Sequence, residues 1–113
     1  MIRRGEVWWA GLPDPAASEP GYRRPVFVVS SDEFNRSRIR TVVAAVLTTN
    51  LRLGRAPGNV LAAAGETGFP RDSVVNVSQV VTVDRSFLAE RVGLIGGRAM
   101  LAVEDGLRTV LAL

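Results

Sequence analysis

Apolar and polar positions along the chain fall into short blocks of strand length, with a helical period only at the end. Residues 6–10, EVWWA, alternate as a strand does, so Trp8 and Trp9 point to opposite faces. Residues 25–29, PVFVV, and 41–50, TVVAAVLTTN, are β-branched and small apolar runs with a polar tip, Arg24 on the first and Thr48 on the second. Folded back about Arg36 as antiparallel neighbours, the two runs set Arg24 directly opposite Thr48, where cross-strand residues stand about 4.5–5.5 Å apart. Residues 60–64, 73–83 and 91–95 supply further strands. Within 73–83, SVVNVSQVVTV, the period of two gathers Val75, Val77, Gln79 and Val81 on one face, so Gln79 interrupts an apolar row. A buried amide without partners costs about 1–3 kcal/mol, which means that Gln79 either reaches backbone groups or belongs to a site.

Helical pattern is confined to three places. Ser31 or Asp32 caps a helix of one or two turns, and Asp84 or Ser86 caps another that runs to Glu90. Residues 97–113 carry an apolar stripe of Met100, Val103, Leu107, Val110 and Leu111, with Glu104 and Arg108 one turn apart on the outer side. That helix packs on the sheet or on a second subunit. Residues 12–21, 51–59 and 65–72 are rich in Gly and Pro and read as loops. The first of them, LPDPAASEPG, carries Glu19; the second carries Arg52 and Arg55 beyond the end of the strand that holds Thr48.

Length and composition narrow the chemistry. At 113 residues the expectation is a single domain, 1–113, that buries about two-thirds of its unfolded surface. The longest apolar run, 42–47, is far short of the roughly 18 residues a membrane span needs, and Gly5, Glu6 and Pro13 break up the basic, apolar start before it forms a signal-peptide core. A cytoplasmic protein with no membrane association is expected. There is no cysteine and no histidine, which removes disulfides, thiol chemistry, the usual zinc sites and every imidazole acid or base. Neither a cofactor nor a metal is expected. All 14 basic residues are arginine, and the net charge is +3. A basic surface suits a polyanionic partner, and the guanidinium fork suits phosphate; the absence of lysine is equally accounted for by coding bias.

For Glu19, Arg24 and Thr48 the chemistry that remains is charge stabilisation and positioning around a phosphate. Single-stranded RNA brings its own nucleophile, since its 2′-hydroxyl can attack the adjacent phosphodiester once the added charge is stabilised and a proton removed. An exposed Trp8 or Trp9 would offer a stacking platform to a nucleobase, although a core position or a subunit contact accounts for either indole as well.

Over essentially its full length the chain resembles the MazF/PemK family of toxin endoribonucleases from toxin–antitoxin pairs. The resemblance is carried by RRGEVWWAGL, SEPGYRRPVFVVS, a strand ending VLTTN, PRDSVVNVSQVVTVDRSFLAERVG and a closing amphipathic helix. The family pattern of a loop glutamate, an Arg-Pro five residues later and a threonine in the third main strand falls on Glu19, Arg24 with Pro25, and Thr48, with Thr49 as the alternative hydroxyl. Pro20 after Glu19 departs from the common loop form, and Arg23 adds a second guanidinium, departures that bear on sequence preference. The resemblance implies a mainly β, SH3-like twisted barrel with two or three short helices and a C-terminal helix, acting as a homodimer. It implies metal-independent, sequence-specific cleavage of single-stranded RNA to a 2′,3′-cyclic phosphate and a 5′-hydroxyl, and inhibition by a small acidic antitoxin. In that reaction Arg24 stabilises the scissile phosphate, Thr48 donates to a non-bridging oxygen, and Glu19 either takes the 2′-hydroxyl proton or orients Arg24. Arg23, Thr49, Arg52, Arg55 and Gln79 are expected as RNA contacts. Two other readings remain: a CcdB-type toxin that poisons a topoisomerase through its closing helix, and a non-catalytic nucleic-acid-binding barrel in which Arg24 only holds phosphate.

Overall fold

A computed structural model describes residues 1–11 and 23–113; Glu19 and the rest of the 12–22 loop lie outside the described residues. Six strands, β1 (Glu6–Gly11), β2 (Arg23–Val28), β3 (Thr41–Thr48), β4 (Val60–Ala62), β5 (Ser73–Asp84) and β6 (Leu88–Leu94), form one antiparallel sheet in the order β4-β5-β3-β2-β1-β6. Helices α1 (Asp32–Arg36), α2 (Ala64–Thr67) and α3 (Gly97–Leu111) complete it, with 3₁₀ turns at Leu51–Arg55 and Arg85–Phe87. The sheet is curled, and a core fills each of its faces. Phe27, Val29, Ala45, Leu47 and Val75 pack with Ala99 and Val103 of α3 on one side, while Val26, Val42, Ala44, Val46 and Val83 form the other. Alternation along β2 and β3 thus serves two apolar layers, which is why these strands read as unbroken apolar runs.

Local chemistry sets the element ends. Ser31 accepts from the Phe34 N–H at the start of α1, and Asp84 accepts from the Ser86 N–H at the second 3₁₀ turn. The chain after Asp84 makes only this short turn before β6 begins at Leu88, so the helix expected as far as Glu90 is replaced by strand: residues 88–94 pair with β1 and take up backbone groups that a helix would have satisfied internally.

Helix α3 departs from its expected stripe. Ala99, Val103 and Gly106 are buried, with Met100, Ala102 and Leu107 half-buried beside them, whereas Val110 and Leu111 are exposed. Small residues face β4 and β5 because the helix comes in close: Gly58 and Gly106 approach so nearly that a Cβ on Gly106 would run into the Gly58 carbonyl oxygen. Glu104 does not pair along the helix with Arg108. It takes the Arg4 guanidinium at 2.8 Å, joining α3 to the start of the chain, and Arg108 pairs with Asp105 instead.

The face assignment along β5 holds only up to Val77. A register shift against β3, between Ala45 (opposite Val80) and Val46 (opposite Asn76), inserts extra residues into β5, and Ser78, Gln79 and Val80 emerge exposed. Gln79 is therefore a solvent-facing residue at a bulge. The buried amide of this strand is instead Asn76, three residues earlier, which accepts from Ser78 Oγ.

Candidate active site

Strands β2 and β3 pair Val26 with Val46, Phe27 with Ala45 and Val28 with Ala44. The numbers of each pair sum to the same value, and carrying that register outward by two residues sets Arg24 opposite Thr48. Both emerge from fully buried strand bodies at one end of the sheet, where they line an open cleft of about 420 Å³. Its size falls within the range of small ligand sites. Leu47 and Pro25 form an apolar base beside them, and Thr49 continues the rim.

The second wall comes from sequence-distant pieces. Trp9 of β1, opposite Pro25 in the sheet, turns its half-buried indole toward the cleft and rests against the buried Phe69, with ring centroids 5.3 Å apart at 56°. Phe69 and Arg71 belong to the turn that leads into β5. Because Val74 pairs with Thr48, that turn has to lie beside the end of β3. Trp8, by contrast, packs on the core of the opposite face and donates its indole N–H to Glu6.

Among the described residues, charge in the cleft has one sign. Arg23, Arg24 and Arg71 line it, and no acidic side chain among the described residues does. The Arg23 guanidinium lies 4.7 Å from the Trp9 ring centre and pairs with Glu90 at 3.2 Å, a contact in which both partners are well exposed and which is worth little. Among the described residues no carboxylate pairs with Arg24 or Arg71. The Thr48 hydroxyl accepts from the Asn50 backbone N–H at 3.1 Å. Its own hydrogen is then left to donate to a group entering the cleft. Two guanidiniums without a carboxylate partner among the described residues, and a hydroxyl free to donate, on an apolar floor make a receptor for a tetrahedral oxyanion, with an aromatic ring at hand for a base.

The structure brings Arg23, Arg24, Thr48 and Thr49 together. Arg52 and Arg55 instead flank a separate cleft of about 400 Å³ with Leu51, because the chain leaves β3 in a 3₁₀ turn, which Asn50 caps by accepting from the Arg52 N–H. They do not share the Arg24 rim, and neither does Gln79. Sequence reasoning passed over Phe69 and Arg71 entirely. The signal available was Pro70 and Arg71 at the end of a turn feeding a strand that must neighbour residues 41–48.

Residues 3–111 match the family described as PemK-like, MazF-like toxin of type II toxin-antitoxin system. The chain belongs to this toxin family. Endoribonuclease MazF6 of Mycobacterium tuberculosis (strain ATCC 25618 / H37Rv) is 49% identical over 113 residues, covering 100% of this chain and 99% of that protein. Endoribonuclease EndoA of Bacillus subtilis (strain 168) is 34% identical over the same 100%, with 97% of its own length covered. Among solved structures, an endoribonuclease in complex with its cognate antitoxin from a mycobacterial species superposes with a TM-score of 0.82 at 26% identity, over 100% of this chain and 97% of that one. The PemK/MazF-like fold accounts for the architecture described above.

Proposed function

We infer that this PemK/MazF-like protein is the RNA-cleaving toxin of a toxin–antitoxin pair, and that it cuts single-stranded RNA through the cleft at Arg24 and Thr48. The observation that carries the reading is the juxtaposition, at one sheet end, of a hydroxyl free to donate with a guanidinium that has no carboxylate partner among the described residues, in a chain whose relatives are endoribonucleases.

In the mechanism this supports, the 2′-oxygen of the substrate attacks the neighbouring phosphorus, the bond to the 5′-oxygen of the next nucleotide breaks, and the products are a 2′,3′-cyclic phosphate and a 5′-hydroxyl. Arg24 holds the non-bridging oxygens and stabilises the charge they gain; its guanidinium stays protonated throughout, so its part is electrostatic. Thr48 donates its hydroxyl hydrogen to one of those oxygens. The 2′-hydroxyl loses its proton as the bond forms, to Glu19 of the loop outside the described residues or, where Glu19 only orients Arg24, to solvent; the leaving 5′-oxygen takes its proton from solvent water. The function is exercised in the cytoplasm by a homodimer that a small acidic antitoxin restrains, in keeping with the antitoxin complex of the structural relative.

Incubation with a long single-stranded RNA in EDTA, with mapping of the ends, tests the reading. The wild-type protein should give discrete cuts with 5′-hydroxyl ends, and Arg24→Ala should lose about a hundred- to a thousandfold in rate. A variant within a few-fold of wild type would remove Arg24 from the chemistry. Absence of cutting by wild-type protein would leave the binding-only barrel or the topoisomerase-poisoning toxin.

A further inference from the structure

Arg71 is the one cleft guanidinium to which neither strand alternation nor the Arg-Pro motif assigns a task. Its backbone is held from several sides. Phe69 before it is buried against Trp9, and the Phe69 N–H donates to Thr67 Oγ1 at 3.0 Å. Ser73 Oγ donates to the Arg71 carbonyl at 3.1 Å, and Asp72 is occupied in accepting the Ala64 N–H at 3.0 Å. Pro70 restricts the turn further. The anchored backbone carries an exposed side chain that lines the same cleft as Arg24, and among the described residues it has no carboxylate partner. Five other arginines, at 4, 23, 91, 98 and 108, are engaged by carboxylates. Two cations that share a cleft, one of them on a fixed turn, and that have no carboxylate partner among the described residues, fit an anion with more than one charge.

We propose that Arg71 is a binding residue for RNA that grips the phosphate one nucleotide away from the scissile one, so that two guanidiniums of one cleft hold successive phosphates of a single-stranded backbone. This rests on the nuclease reading for the identity of the scissile phosphate, and it defines the substrate as a segment with at least two phosphates across the cleft. Arg24 meets the phosphate whose charge grows in the transition state. Arg71 meets a phosphate whose charge does not change, so it contributes equally to ground and transition states and shows in KM. Trp9, in contact with both the Arg23 guanidinium and the Phe69 ring, lines the same cleft and offers a ring to the base carried by the ribose that joins the two phosphates.

The test uses the full-length protein, its Arg71→Ala and Arg71→Lys variants, and an RNA oligonucleotide that spans one mapped cut site. Each phosphate flanking the cut is replaced in turn by an uncharged methylphosphonate. The expected result is a KM about tenfold higher for Arg71→Ala with kcat within a few-fold, as loss of one charge-assisted contact implies. One methylphosphonate should cost the wild type a similar factor and cost Arg71→Ala nothing, because the contact is already gone. Binding is read separately on the same oligonucleotide with 2′-deoxyribose at the cut site, where the slope of log affinity against log salt should fall by about 0.7 in Arg71→Ala. Arg71→Lys should restore that slope, as a charge suffices for it. Equal losses in wild type and Arg71→Ala at both methylphosphonates, or an unchanged KM and salt slope, would overturn the proposal. Should the wild type cut no RNA, the nuclease reading falls, and the salt slope of wild type and Arg71→Ala on an unstructured single-stranded RNA of mixed sequence still decides whether Arg71 holds phosphate. A wild type that neither cuts nor binds RNA overturns both.

Discussion

Thr48 and Thr49 offer the same hydroxyl one residue apart, and their hydrogen bonds tell them apart. Thr48 Oγ1 accepts the Asn50 N–H, which restrains the side chain and leaves its hydrogen free to donate; Thr49 stands exposed on the rim. Thr48→Val keeps the shape and removes the donor. It should lower kcat by about a hundredfold or more if the hydroxyl serves the growing charge, and by at least tenfold more than Thr49→Val; single-turnover rates at saturating protein would compare the two directly. Equal losses would shift the role to both hydroxyls or to neither. Arg24 and Thr48 were legible because each is the polar tip of an apolar strand and one fold-back about Arg36 satisfies both. Arg71 was not, since no periodicity links a turn residue to a cleft two strands away. The role of Trp9 stayed open for a related reason: alternation separates it from Trp8 but does not say which face will carry the site.

At the scale of elements, strand existence followed from apolar runs, while the departures arose wherever a distant partner overrode a local rule. The β5 bulge turned Gln79 outward, and β1 pulled residues 88–90 into strand ahead of the expected 91–95 run. The α3 stripe moved because small residues allow a closer approach than the larger Val110 and Leu111. That approach makes Gly106 a sharp test of α3 docking. Alanine is the better helix former by up to about 1 kcal/mol, so in an unpacked helix Gly106→Ala would stabilise. Here the added Cβ meets the backbone of Gly58, whose own φ of +81° leaves it little room to shift. Gly106→Ala should therefore destabilise the protein by about 1–3 kcal/mol, read as the midpoint shift in urea unfolding. A neutral or stabilising result would mean that α3 is held less closely than the structure shows.

Across the whole molecule the arginines divide into those that hold the fold and those left to a ligand. Among the former, Arg91 binds the nearly buried Glu6 at 2.7 Å across 85 residues of sequence, and Glu6 also accepts the Arg3 backbone N–H at 2.8 Å and the Trp8 indole N–H at 3.2 Å. Burial pushes the Glu6 carboxyl upward, but these hydrogen bonds and the neighbouring Arg91 charge outweigh it and hold the group below its ordinary value of 4.5. A carboxyl with a depressed value in the folded state binds its proton more readily when unfolded. Its contribution is therefore complete above pH 4.5 and is lost as the pH falls through the lower folded-state value. Glu6→Gln removes the charge while keeping the shape, and at neutral pH it should cost about 1–3 kcal/mol. Toward acid the two stability curves should converge, because protonation removes from the wild type what the substitution has already removed from the variant. Thermal melts of both proteins in matched buffers from neutral to acidic pH read this directly. A constant gap at every pH would mean that Glu6 acts through its volume and neutral hydrogen bonds, and that the charge joining β1 to β6 contributes nothing. A closing gap would assign the tie to ionisation, that is, to the Glu6–Arg91 pair and the hydrogen bonds that the charged carboxylate accepts.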